Sequence, residues 1–92
     1  MDKTEAQVRA TRETLHALIK ASPHTQKWVA QQIGEDPTVL SRRLTGNRED
    51  YSNLDTSLVV NLLRVLDVDI VDFYVRVKER ATQISAETRR RR

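Results

Sequence analysis

Apolar positions along this chain recur every three or four residues, the spacing of a helical stripe, and nowhere alternate strictly as a strand would. Five segments carry the pattern. The first covers residues 4–20, with Val8, Thr11, Leu15, Leu18 and Ile19 along one side. It is expected to stop at Ser22, because Pro23 disfavours helical geometry in the residue before it. Thr25 has the chemistry of an N-cap for a second helix over residues 26–33, with Val29, Ala30 and Ile33 turned inward. Gly34 stands where a helix takes a left-handed terminator. Asp36 and Pro37 read as cap and first residue of a third helix, Pro37–Thr45, since proline's missing N–H has no intrahelical partner there anyway. Gly46 ends that helix, and residues 47–53 form a polar connection. Leu58, Val59, Leu62, Leu63 and Leu66 mark a fourth helix, Thr56–Leu66. Asp69 caps a fifth, with Ile70, Phe73, Tyr74 and Val77 on one side and Asp72 near the positive end of its dipole. From Thr82 onward the chain turns polar. The expected division is a folded body over residues 1–81 and a flexible, Arg-rich tail over residues 82–92.

Composition narrows the class. Ninety-two residues make one small all-α domain with little room for a cleft beside its core. The formal charge is +3, and Arg89 to Arg92 alone supply four positive charges, so the rest nets −1. A basic end on a near-neutral body suits a polyanionic partner, or is simply a solvated terminus. The absence of cysteine excludes disulfides and thiolate metal sites. His16 and His24 lie eight residues apart with no third ligand evident, so no metal or other cofactor is expected. No nucleophile–base constellation, glycine-rich phosphate loop or paired carboxylate points to an enzyme. The charged start is unlike a signal peptide and no apolar run reaches membrane-spanning length, so a cytoplasmic protein without a membrane partner is expected.

The third helix carries the most specific chemistry. At about 100° per residue, Leu40, Leu44 and Pro37 fall within about 60° of one another. Ser41, Thr45, Thr38 and Arg42 follow at about 100°, 140°, 160° and 200°. Compact hydroxyls beside one long guanidinium fork are the groups that read base edges in a major groove. A helix facing only water would more often carry Glu and Lys, and this face has neither. Alone, it is also compatible with an ordinary polar surface.

The surrounding stretch, TQKWVAQQIGEDPTVLSRRLTGNR over residues 25–48, reads as a helix, a tight turn and a helix. Ala30, Gly34, Leu40, Ser41, Arg42 and Gly46 fall at the spacing of the lambda-repressor-like helix-turn-helix DNA-binding family, the Cro and Xre group. The chain resembles that family over about residues 5–75, and LVVNLLRVLDVDIVDF, residues 58–73, echoes the family's following helix, which often ends in Leu-Gly-Val. It is also similar to phage lysogeny activators, in size, in Ala30, Gly34, Asp36, Ser41 and Arg42, and in its basic C-terminus. Two departures stand out: Glu35 and Arg43 occupy positions that are usually apolar in the family. Asp36 could serve as a cap or accept from a cytosine amino group.

The resemblance implies a five-helix domain of that family, acting as a sequence-specific double-stranded DNA-binding transcriptional regulator of phage or bacterial type. The third helix would lie in the major groove. Thr38, Ser41, Arg42 and Thr45 would contact base edges, with Arg42 the strongest candidate and a phosphate contact its alternative. Gln26, Lys27, Arg43, Asn47 and Arg48 would grip phosphates, and Tyr51 would either do so or pack. Such domains usually pair on half-sites about one turn apart. A homodimer or higher homo-oligomer is therefore expected through Phe73, Tyr74 and Val77, with Val71 and Val75, unless these pack on the first helix. Trp28 either covers the first helix or serves a partner, and RNA polymerase is a further candidate partner. The competing class is a helix-turn-helix protein-interaction module, such as an antitoxin or a polymerase adaptor. Antitoxins usually carry a longer apolar segment than the short, polar residues 82–92.

Overall fold

The other helices are assembled around α1, Lys3–Ala21, which packs against α2 (Gln26–Gln32), α3 (Pro37–Thr45), α4 (Thr56–Leu66) and α5 (Ile70–Arg90). The computed structural model describes residues 3–45 and 56–90, and all regular structure among them is α-helical. The terminators predicted from sequence act locally. Ser22 donates its N–H to Leu18 and Ile19 carbonyls as α1 closes before Pro23. Gly34 takes φ +72°, and the Gly34 and Glu35 N–H groups reach back to the Gln31 and Ala30 carbonyls, at 3.2 and 2.9 Å. That is a Schellman closure, which needs a left-handed residue where Gly34 stands. Helix α4 closes the same way, with Asp67 at φ 56° and the Val68 N–H on the Leu63 carbonyl. Asp69 caps α5, its Oδ1 accepting from the Val71 and Asp72 N–H groups.

One core joins all five elements: Leu15 and Ile19 from α1, Val29 and Ala30 from α2, Leu40 and Leu44 from α3, Leu58, Val59, Leu62 and Leu63 from α4, and Phe73, Val77 and Ile84 from α5. The α1 stripe differs from the periodicity reading. Val8, Thr11 and Leu18 are only half-buried, while Ala6 and Ala10 are wholly buried. Alanine gives a weak periodic signal, yet two alanines on one face allow another helix close approach. That helix is α5. It runs antiparallel to α1, bringing Arg80 to Glu13 while Arg76, one turn earlier, lines a groove with Ala17 and Ala21 further along α1.

The tail expected to be flexible from Thr82 is instead helical as far as Arg90. Ile84 is 1% exposed and is the anchor. The polar residues around it are satisfied within the helix: Thr82 and Thr88 hydroxyls donate to the Lys78 and Ile84 carbonyls. Arg89 and Arg90 lie in the last turn, where positive charge complements the helix dipole. A single isoleucine among polar residues is too little for a periodic pattern, so only the α1 surface marks it as buried.

Candidate nucleic-acid interface

Helix α3 begins on a well-formed cap. Asp36 Oδ1 accepts from the Thr38 and Val39 N–H groups at 2.8 and 3.3 Å, and Pro37 fills the first helical position. The carboxylate is therefore committed to the helix end. Leu40 and Leu44 are buried beneath the helix, as the wheel requires. Thr38, Arg42 and Thr45 are exposed on its outward side, and Ser41 is half-buried at the margin. The Thr45 hydroxyl donates to the Ser41 carbonyl at 2.8 Å, leaving outward a methyl group and acceptor lone pairs. Arg42 makes no ion pair with another described residue and is free to reach outward.

Its neighbour is different. Arg43 Nη1 lies 3.4 Å from Glu35 Oε1, with the two side chains only 28% and 25% exposed. Glu35 and Arg43, noted in the sequence as departures from the resemblance, thus meet each other. Arg43, expected on phosphate, is instead engaged by Glu35 within the molecule. Their partnership depends on the angle between turn and helix, which no run of adjacent residues encodes.

Helix α2 opens on Thr25, whose Oγ1 accepts the Trp28 N–H at 3.1 Å. Gln26 is half-buried and Lys27 exposed at this end. The Trp28 indole packs on the core and carries the His24 imidazole stacked on it, centroids 3.8 Å apart and planes 16° from parallel. Asn47, Arg48, Gly46 and Tyr51 lie outside the described residues.

On α5 the expected pairing residues separate. Phe73 and Val77 are 0% and 1% exposed, packed within their own chain, and so are unavailable to a second copy. The helix turns them inward because α5 packs along α1, where they join the common core. Tyr74 is exposed, and with Ile70, Val71 and Val75 it forms an open apolar face bordered by Lys78. Among the described residues no group of three His, Cys, Asp or Glu side chains is placed to hold a metal ion, and no helix is long and apolar enough to cross a membrane.

No protein-family model matches the chain, and no curated protein or solved structure matches it either. The functional reading therefore rests on the residues and their placement.

Proposed function

We propose that the chain is a sequence-specific double-stranded DNA-binding transcriptional regulator with a helix-turn-helix formed by α2 and α3. The observation that carries this reading is the outward face of α3. Thr38, Arg42 and Thr45 are exposed together above buried Leu40 and Leu44. Nothing acidic shares that face, because Asp36 is tied to the helix end and Glu35 to Arg43. A helix of this width fits the major groove, where a guanidinium fork and small hydroxyls distinguish base pairs. Lys27 and Gln26 at the start of α2 supply phosphate contacts that set the register.

One copy grips too few base pairs to be selective, so the regulator acts as a homodimer or larger homo-oligomer. The exposed face of Ile70, Val71, Tyr74 and Val75 is the pairing surface. The same apolar face favours the second reading, a protein-interaction module that uses α5 on a different chain.

Selection from random duplex DNA by the full chain separates the two. An enriched inverted repeat, with half-sites about 10 base pairs apart, is the expected result. Binding that weakens with salt but enriches no motif would remove the regulator reading and leave the module.

A further inference from the structure

Two adjacent arginines on α3 have opposite surroundings: Arg42 is open to solvent, whereas Arg43 is held by Glu35. Resting on the DNA-binding reading, we propose that Glu35 is a specificity-determining positioning residue. It holds Arg43 as a strut between the turn and α3, so that Arg43 sets the pose of the reading face instead of gripping phosphate.

Both ends of the strut are fixed by other contacts. Glu35 follows the left-handed Gly34, and its N–H is bonded to the Ala30 carbonyl at 2.9 Å, which ties its backbone to α2. Arg43 stands next to buried Leu44 on the flank of α3, so its backbone moves with that helix. The ion pair therefore spans the one angle that aims Thr38, Ser41, Arg42 and Thr45. The other nearby acid, Asp36, has its Oδ1 engaged by two N–H groups at the start of α3, and it is Glu35 that Arg43 meets. With three-quarters of each side chain shielded, the pair is less open to competition from water and salt than the Arg80–Glu87 pair on α5, where Glu87 is 52% exposed. Releasing Arg43 would have two separate effects. The reading face would lose its fixed pose, and a new cation would become available to any phosphate.

The test compares wild type, Glu35→Gln, Arg43→Gln and the paired change Glu35→Leu with Arg43→Leu. Each is titrated with the duplex enriched by selection and with a scrambled duplex, between about 50 and 200 mM salt. Glu35→Gln is expected to steepen the salt dependence on scrambled DNA by about 0.9 in log–log slope, one phosphate's worth. It should also narrow the preference for the selected site by about fivefold or more, the lower end of what one base contact contributes. Arg43→Gln should leave the wild-type slope unchanged while narrowing the preference, and the paired leucines should restore the preference without altering the slope. A flatter slope for Arg43→Gln would mean that Arg43 already grips phosphate, and the proposal fails. It also fails if Glu35→Gln changes neither slope nor preference. Urea unfolding of Glu35→Gln, Arg43→Gln and their double variant tests the strut without DNA, and additive effects would remove it. A wild-type chain that selects no site, with the coupling intact, instead overturns the DNA reading and the specificity role built on it.

Discussion

Arg42 is the residue on which the proposed activity turns. Its guanidinium is exposed on α3 and free of ion pairs with other described residues. Arg42→Ala is expected to weaken binding to the selected site by about 1–3 kcal/mol relative to scrambled DNA, with no change in the thermal midpoint. Equal losses on both duplexes, measured by fluorescence anisotropy, would reassign Arg42 to phosphate. Asp67 offers a second prediction at this scale. It holds the left-handed position that closes α4, at φ 56°, where an L side chain is strained and glycine is not. Asp67→Gly is expected to stabilise the fold by roughly 0.5–1 kcal/mol, after the added freedom of the unfolded chain is subtracted. That corresponds to a few degrees in the melting temperature at about 4–8 °C per kcal/mol. An unchanged or lower midpoint would show that the turn does not favour glycine.

At the scale of elements, α5 is the least expected component. Its second half carries only Ile84 as a large buried apolar group, held against α1 by the seam that Ala6 and Ala10 open. Ile84→Ala should destabilise the protein by about 2–5 kcal/mol in urea unfolding, the range for a buried aliphatic truncation. A loss below about 1 kcal/mol would mean that the helix beyond Thr82 is not packed on α1. Helix α3 was legible from sequence for the opposite reason. Its cap, its first-turn proline and its two buried leucines all lie within nine residues. Signals of that range are written into adjacent residues, whereas the seating of α5 depends on a surface contributed by the other end of the chain.

At the scale of the whole molecule, α1 and α5 are clasped by Glu13, which accepts from Arg9 Nε at 3.0 Å and from Arg80 Nε at 2.7 Å. Partial burial pushes the Glu13 carboxyl upward, but hydrogen bonds and charge from Arg80 and Arg9 outweigh it and hold the group below its ordinary value. His16 is also held below its ordinary value, first by burial and then by Lys20. In both cases the unfolded chain binds protons more readily than the folded one, so stability falls as pH falls. The His16 contribution is complete above about pH 6.5 and is lost below it, whereas the Glu13 contribution is complete above about pH 4.5 and is lost as pH drops through its lowered value. Glu13→Gln should flatten the acid limb of an unfolding-versus-pH curve and leave the His16 limb in place. An unaltered acid limb would dismiss the clasp. Assembly belongs to this scale too: Val71→Glu, at a position 66% exposed in the single chain, should shift sedimentation to the monomer without loss of helicity. A wild-type chain that already sediments as a monomer, free and on DNA, would rule out the pairing face.

Local chemistry determined the helical class, the caps at Thr25, Asp36 and Asp69, the glycine turn and the outward placement of Thr38, Arg42 and Thr45, because each depends on residues within about one or two turns. Tertiary packing decided the rest. It chose which side of α5 is buried, taking Phe73 and Val77 into the core and leaving Tyr74 outside. It carried the helix past Thr82 onto α1, joined Glu13 to Arg80 across 67 residues, and turned two departures from a pattern, Glu35 and Arg43, into one ion pair. Periodicity can state that a helix has an apolar side. It cannot state how wide that side is, or which charges meet, until the neighbouring surfaces are in place.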